Sequence, residues 1–273
     1  MALTDLDDLF ECIPTMLITI IFSFKLASFM ANSKKIKSCL KTIENDWLSL
    51  NTDNEKAILQ RQTAYGRYLT IFYAIATDTF YFILIQHACG MFSVVGHSLE
   101  RIGKDSNNSF DSKPDKINDV NYYKVLDCLR KHLHVIEFAE LIESTFADIL
   151  LISISLNMIG GSICGIQVLI NLNDAKDIIA PLAIYVAQLT HMFLQFWQAQ
   201  FLLDYSVLPY ESICKANWYY TSERCRKLLL LIMNRTILPC RITAGRVVIL
   251  SIESFGVVLK TSMSYFTMLR SFH

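Results

Sequence analysis

A polar stripe runs along an apolar segment near the carboxyl end of the chain. Glu253, Lys260, Ser264, Thr267 and Ser271 recur at spacings that place them on one face of a helix. Lys260 would lie near the middle of a bilayer, where an ionisable side chain costs about 2.5–3.5 kcal/mol and usually has a function. A helix with one hydrated face suits the wall of an ion pore. The alternative is a buried helix in which Glu253 and Lys260 form an ion pair.

Metal or redox chemistry has weaker support in the sequence. The chain has eight cysteines and no C-x-x-C pair, so we expect reduced thiols rather than disulfides or a zinc site. Three zinc ligands from Cys214, Cys225 and Cys240 remain an alternative. His87 and Cys89 could form a metal pair, but we favour a hydrogen-bonded histidine within the membrane. We therefore expect no cofactor and no enzyme activity.

The composition indicates a membrane protein. Apolar residues make up 53% of the 273 positions, and the mean hydropathy is +0.35. The formal net charge is zero, which excludes the basic footprint of a nucleic-acid-binding protein. No nucleotide-binding or zinc-protease motif occurs. The expected partner is therefore the lipid bilayer and not a nucleic acid.

Five apolar runs are candidates for membrane helices, each of which needs roughly 20 mostly apolar residues. Acidic residues precede the first run and lysines follow it, so its amino end is predicted outside and its carboxyl end in the cytoplasm. The basic segments 97–145 and 204–246 are predicted to be cytoplasmic. The link near 171–181, with Pro181 in its turn, is predicted to be external, and the carboxyl terminus extracellular. The runs are 13–31, 68–96, 146–172, 181–203 and 247–269.

The second run, 68–96, does not fit an alternation of loops between the two sides of the membrane, because both of its flanks are predicted to be cytoplasmic. As a helix its 29 residues would extend about 43 Å, against roughly 30 Å of hydrocarbon. We therefore expect either a missing piece or a re-entrant hairpin there. Segments 35–59, 122–143 and 222–237 have helical apolar spacing, and Leu40 and Leu133 belong to the predicted apolar faces. The fold class predicted is all-α: a polytopic transmembrane helix bundle with cytoplasmic anchor helices, in one membrane domain over residues 1–273.

Several stretches then carry a resemblance to one family. The sequence LPYESICKANWYYTSERCRKLLLLIMNRTILPCRITAGRVVILSIESFGVVLKTSMSYFTMLRSF, residues 208–272, closely resembles the carboxyl end of insect odorant receptors. QHACGMFSVVGHSLERI at 86–102 and HLHVIEFAELIEST at 132–145 are similar to the same family. IENDWLSL at 43–50 and YGRYLTIFY at 65–73 fit its cytoplasmic loop before the third span. The resemblance covers essentially the whole chain.

The resemblance implies a seven-span receptor that detects small volatile hydrophobic odorants in the plasma membrane of olfactory sensory neurons. It further implies a ligand-gated cation channel, formed with the odorant receptor co-receptor as a hetero-tetramer, and an extracellular carboxyl terminus. The family pattern also places a first span before this sequence. It places the rest of the third span, an extracellular loop and the start of the fourth span between Ala74 and Thr77. We therefore expect a truncated or exon-skipped receptor.

Site residues follow from the resemblance by position. The pore-lining residues would be Lys260, Ser264, Thr267, Met268 and Ser271, with Met268 at the hydrophobic gate. Packing within the helix is the alternative for Met268. The odorant pocket should be mostly apolar and aromatic. Its residues would be Met16, Thr79, Phe80, Ile83 and Tyr185, with Asn157 and Gln167 as polar positions in the third run; each of these could instead be a plain packing residue.

Other classes of protein remain as alternatives. A ligand-sensing receptor without its own pore, such as a G-protein-coupled receptor, would have a cytoplasmic carboxyl terminus, which the charge pattern opposes. A transporter would show internal repeats and helices broken by glycine or proline, and only Gly160–Gly161 fits that description. A nonfunctional truncated or splice-variant fragment is the strongest competitor.

Overall fold

The structure is a computed structural model, and it describes residues 20, 23–25, 27–28, 30–50, 53–60, 76–103, 119–170 and 175–270. Nearly all the described residues are helical, so the predicted all-α class is confirmed. The helices are α1 (Ser33–Ser49), α2 (Ala76–Glu100), α3 (Val120–Ile170), α4 (Ala175–Lys215), α5 (Glu223–Thr236) and α6 (Ile252–Arg270), with a 3-10 turn at Trp218–Tyr220 and two short strands, β1 (Thr243–Ala244) and β2 (Val248–Ile249).

The chain divides into two compact units. The first unit comprises Met1–Ile36, Thr145–Gln200 and Ile242–His273, and the second comprises Lys37–Ser144 and Phe201–Arg241. Helices α3 and α4 each contribute residues to both units. At 1.5 Å per residue, α3 is about 77 Å long and α4 about 62 Å. Both exceed the roughly 30 Å of a hydrocarbon core, so only part of each helix can lie in a membrane.

Two described helices are long and apolar enough to cross a membrane, namely Asp78–Glu100 and Val120–Val168. The first corresponds to the predicted run 68–96, of which residues 68–75 lie outside the described part. Helix α2 is continuous from Ala76 to Glu100, with no re-entrant break over those residues. Pro181, predicted for an external turn, instead lies inside α4, which begins at Ala175.

The core of the second unit lies between α2, α3, α4 and α5. Helix α2 is apolar on almost every side, and Phe92, Val95 and Leu99 have essentially no exposed surface. Gly96 permits close contact with α4, because a Cβ there would lie 2.9 Å from Oγ of Ser212. The buried cluster comprises Val95, Leu99, Ile102, Val125, Cys128, Leu129, Ile213, Cys225, Leu229 and Ile232.

Two amphipathic helices differ in detail from the sequence prediction. In α1, Leu40 is 51% exposed, whereas Cys39 is fully buried. In α3, Leu133 is 44% exposed, whereas His132 is buried. The predicted faces were otherwise right: Ile36 and Leu50, and Val125, Leu129 and Ile136 on α3, are buried as predicted, and only Leu40 and Leu133 lie off the buried face. Short polar or polarisable side chains occupy the tighter position beside the neighbouring helix, and leucine lies at the edge.

Helix α5 is apolar on two sides. Its amino end is capped by Ser222, whose Oγ accepts a hydrogen bond from the Cys225 amide. Cys225, Leu229, Ile232 and Thr236 are buried. The exposed apolar residues of this helix and the turn after it are Leu230, Leu231, Ile237 and Leu238.

Candidate functional site

The candidate pore helix α6 is introduced by a small hairpin. Strands β1 and β2 pair antiparallel, with Ala244 opposite Val248. Gly245 and Arg246 both have φ near +60°, a backbone region that favours glycine. The Gly245 amide donates to the carbonyl of Ala147 on α3 at 2.9 Å, and a Cβ at Gly245 would lie 2.5 Å from Leu151. The sequence predicted an apolar run from Val247, but the helix starts only at Ile252.

A reciprocal serine cap fixes that start. The Ser254 amide donates to Oγ of Ser251 at 3.1 Å, and the Ser251 amide donates to Oγ of Ser254 at 2.8 Å. This is the geometry of a capping box, which satisfies two backbone donors at a helix amino end. The Ile252 amide adds a bond to Oε1 of Gln200 on α4 at 3.2 Å. The hairpin and the cap together attach the beginning of α6 to α3 and α4.

The polar stripe of α6 is exposed. Lys260, Ser264 and Thr267 are exposed, and so is Glu253 on the same face. The hydroxyl groups bond within the helix: Ser264 donates to the carbonyl of Lys260 at 3.2 Å and Thr267 to that of Ser264 at 2.9 Å. The backbone of Met268 belongs to α6, whereas Ser271 lies outside the described residues.

The opposite face of α6 packs against α4. The ring of Phe255 lies 5.4 Å from that of Phe193 and 5.6 Å from that of Phe196, both in edge-to-face geometry. The expected alternative, an ion pair buried between Glu253 and Lys260, does not form: both side chains are exposed and no ion pair joins them. Helix α6 therefore has one packed apolar face and one uncovered face, on which the polar stripe lies beside the exposed Val257.

The candidate odorant residues fall into three groups. Thr79, Phe80 and Ile83 are half-buried on one face of α2, where the residues around them are fully buried. Tyr185 is half-buried on α4 and lies beside Gly161, where an added Cβ would be 3.5 Å from the tyrosine ring. These two groups belong to different units. Met16 lies outside the described residues.

A second polar stripe, which the sequence analysis overlooked, lies on α4. Gln188, His191, Gln195 and Gln198 are spaced 3, 4 and 3 residues apart, and the three glutamines are 7% exposed or less. Nζ of Lys25, itself 2% exposed, lies 3.1 Å from Nε2 of His191. The sequence does contain a signal for this stripe, because its polar residues recur at helical spacing inside an apolar run, as those of α6 do.

Helix α3 meets this stripe. The side-chain nitrogen Nδ2 of Asn157 lies 3.5 Å from Nδ1 of His191 and 3.5 Å from Oγ of Ser153. Nε2 of Gln195 lies 3.4 Å from Nε2 of His191. Asn157 is 7% exposed, so a polar position singled out in the sequence is part of a buried hydrogen-bonding cluster. Gln167, the other such position, is also buried.

A small cavity lies beside Gln188. It is lined by α3, α4 and α6, and its lining includes Asn157, Gly161, Tyr185, Gln188 and Ser262. Its volume is about 10 Å³, which is room for about one water molecule. Within the described part of the chain neither amide atom of Gln188 has a hydrogen-bond partner. The cavity in this form is therefore too small for an odorant.

In the second unit, a buried carboxylate joins three helices. Oδ2 of Asp46 on α1 lies 2.8 Å from Nε2 of His87 on α2, and Oδ1 lies 2.7 Å from Nε2 of His134 on α3. Asp46 and His87 are each 3% exposed. The ring of Phe138 meets that of His87 edge-on at 5.5 Å. His87 is thus hydrogen-bonded, as the favoured interpretation predicted.

The cysteines in the described part of the chain are all free thiols. Burial raises the pKa of the Cys225 thiol, which a hydrogen bond to Thr221 partly offsets. Burial likewise raises the pKa of Cys240 to about 11. Both thiols therefore stay protonated near neutral pH. Cys214 is exposed, and no three histidine, cysteine or acidic side chains among the described residues are arranged to hold a metal ion.

Comparison with known proteins agrees with this architecture. The family model of the 7tm odorant receptors matches residues 62–263, about three quarters of the chain, so the protein belongs to the odorant receptor family. Odorant receptor 13a of Drosophila melanogaster is 24% identical over 77% of this chain and 51% of its own length. Odorant receptor Or2 of Anopheles gambiae is 27% identical over 55% of this chain and 39% of its own. The chain thus spans about half or less of the length of these relatives.

Solved structures show the same fold. The insect olfactory receptor OR5 from Machilis hrabei superposes with a TM-score of 0.62 at 11% identity, over 95% of this chain and 80% of that one. The same receptor in complex with eugenol gives a TM-score of 0.60 at 10% identity, over 95% of this chain and 69% of that one. A protein of this family is a membrane receptor and not an enzyme.

Proposed function

We propose that this chain is a subunit of an odorant-gated cation channel that assembles with the odorant receptor co-receptor. The observation that carries the proposal is the division of α6 into a packed apolar face and an exposed face that carries the polar stripe. Phe255 holds the apolar face against α4, while Lys260, Ser264 and Thr267 point away from the rest of the described chain. In a ring of four such helices, this stripe would face a shared axis and line the water-filled path.

The residues of the proposed pore have distinct roles. Lys260, Ser264, Thr267 and Ser271 would keep the path hydrated. Met268 would form an apolar constriction, which can close a narrow pore by expelling water. The four subunits would be this chain and co-receptor chains in the plasma membrane of olfactory sensory neurons. The carboxyl terminus would be extracellular, so Met268 would lie near the outer mouth.

The ligand in this proposal is a small volatile hydrophobic odorant. Its site would include Thr79, Phe80 and Ile83, because they form the half-buried sector of an otherwise buried helix and can accept an apolar molecule. Met16 and Tyr185, which do not belong to that unit, stay predictions from the family resemblance. Tyr185 also borders the cavity that Ser262 of α6 lines. A ligand bound next to Tyr185 would therefore lie close to the proposed pore helix.

Cysteine accessibility tests the pore assignment with a matched pair on one helix. Ser264→Cys is exposed in the stripe, whereas Ser262→Cys is half-buried on the packed side. Each variant is expressed with the co-receptor, and a charged thiosulfonate reagent is applied during odorant-evoked current. We expect the reagent to change the current of Ser264→Cys and to leave that of Ser262→Cys like the parent chain with its native cysteines. Equal sensitivity of the two variants, at matched surface expression, would refute the proposal.

A further inference from the structure

Lys260 places a positive charge near the middle of the exposed face of α6. The helix runs from Ile252 to Arg270, so at 1.5 Å per residue Lys260 lies about 12 Å from its first residue and about 15 Å from its last. A lysine near the end of a membrane helix can extend its amine to the interface, but Lys260 is far from both ends. An exposed ammonium group at this depth therefore needs water around it, which the proposed pore supplies.

The positive charge of Lys260 is not cancelled along its own helix. Lys260 forms no ion pair within the part of the chain that the structure describes. Val257 and Ser264, the exposed residues one turn away on the same face, are neutral. Glu253 lies seven residues towards the amino end, about 10.5 Å along the axis, which exceeds the Debye length of about 8 Å at physiological ionic strength. The charge of Glu253 is therefore largely screened at the level of Lys260.

The helices beside this level of α6 do not cancel the charge either. Ser262, two residues beyond Lys260 and on the packed side, borders the small cavity between α3, α4 and α6. The side chains of α3 and α4 that line this cavity are all uncharged, among them Asn157, Tyr185 and Gln188. Lys260 is thus a centre of positive charge on the exposed face of the proposed pore helix.

From this placement we infer that Lys260 sets the ion preference of the pore, disfavouring divalent cations relative to monovalent cations. The inference rests on the proposed channel function, with the exposed face of α6 towards the shared axis. Coulomb repulsion is proportional to the product of the two charges, so an ammonium group at the pore wall repels Ca²⁺ twice as strongly as Na⁺. Rings of charged side chains select between ions in this way. Because co-receptor subunits supply the rest of the wall, the lysines of this chain bias the choice among cations without closing the path to them.

Relative permeability measures this preference. The chain is co-expressed with the co-receptor, and the reversal potential of the basal current is recorded with extracellular Na⁺ and then with Ca²⁺ in its place. Basal current needs no odorant, and cells that express the co-receptor alone give the reference. Lys260→Gln should raise the permeability ratio of Ca²⁺ to Na⁺ roughly 2- to 5-fold, as expected when a unit charge about 4–6 Å from the ion is lost in a water-filled path. Lys260→Arg should keep the parent ratio, and Lys260→Glu should raise the ratio further than Lys260→Gln.

Lys37→Gln is the matched control, because it removes an exposed lysine from α1, outside the pore helix. It should leave the permeability ratio unchanged. A merely structural role of Lys260 would not order the three variants by their charge. Equal ratios for Lys260→Arg, Lys260→Gln and Lys260→Glu at matched surface expression would overturn the inference, and so would an equal shift by Lys37→Gln. If Lys260→Gln fails to reach the surface, Lys260→Glu against Lys260→Arg makes the same comparison.

The cysteine test at Ser264 separates this inference from the channel proposal. If the thiosulfonate reagent changes the current of Ser264→Cys while the Lys260 variants keep the parent permeability ratio, the channel proposal stands and the inference on Lys260 falls. If neither the reagent nor the Lys260 variants change the current, α6 does not line the pore and both proposals fail.

Discussion

Two polar stripes of nearly the same spacing occupy opposite environments in the first unit. On α4, Gln188, Gln195 and Gln198 are buried, whereas on α6 Lys260, Ser264 and Thr267 are exposed. The α4 stripe bonds to side chains from elsewhere in the sequence, namely Lys25 and Asn157. Among the described residues, the hydroxyls of Ser264 and Thr267 on α6 donate to carbonyls of their own helix. A regular spacing of polar residues therefore identifies a helix face that differs from the apolar rest. The side chains that contact this face decide whether it is part of the buried core or an exposed surface.

The largest expected effect is on the buried stripe. His191→Leu removes the ring that Lys25, Asn157 and Gln195 approach. We expect the free energy of unfolding to fall by roughly 2–4 kcal/mol, since each buried polar group that loses such a partner costs about 1–3 kcal/mol. Thermal melting of the chain in detergent measures the change. The control is Thr190→Leu, an exposed neighbour whose hydroxyl bonds within α4; equal melting temperatures for the two variants would contradict the assignment.

A pair of glycines extends the comparison to packing. A Cβ at Gly160 on α3 would lie 2.9 Å from Nε2 of Gln188, whereas a Cβ at Gly256 on α6 would meet nothing within 4 Å. Gly256→Ala should stabilise the chain by about 0.5–1 kcal/mol, because alanine loses less backbone entropy in a helix. Gly160→Ala should stabilise it less, because the amide end of Gln188 must move to admit the new Cβ. The same melting assay checks both, and an equal or larger stabilisation by Gly160→Ala would show that the two faces are not packed differently.

The sequence predicts local features of this molecule well and long-range contacts poorly. Periodicity alone predicted the helices and the polar stripe of α6, because a 3.6-residue period is a local property. It did not predict that Asp46 would be buried, since the partners that make this possible, His87 and His134, are 41 and 88 residues away. The hairpin before α6 was also missed. The hairpin depends on the positive φ of Gly245 and Arg246 and on the hydrogen bond from the Gly245 amide to the Ala147 carbonyl. A count of apolar residues predicts neither feature.

A smaller effect is expected at Gln188, whose amide has no partner among the described residues. Gln188→Met keeps most of the volume and removes a buried amide that gains nothing from the protein. Stability should change by less than about 1 kcal/mol, in either direction, because deleting an unsatisfied group is nearly neutral. The comparison variant is Gln195→Met, in the same stripe and close to His191, which should lower the melting temperature more. A large loss at Gln188 would mean that a bound water in the adjacent cavity stabilises the amide.

The smallest effect on folding is expected at Met268, where the consequence should appear in conduction instead. In the proposed pore, Met268 contributes an apolar constriction near the outer end of α6, and an apolar ring closes by dewetting. Met268→Ser should keep that ring hydrated and raise the basal current of complexes with the co-receptor, while surface expression stays unchanged. The rise should be partial, because co-receptor subunits supply the rest of the ring. The matched change on the packed face, Phe255→Ser, removes the ring contacts to Phe193 and Phe196 and should lower expression without raising the basal current per receptor. If Met268→Ser left basal current and ion permeability unchanged at equal surface expression, α6 would not line the pore at that level, and its exposed stripe would need a different partner.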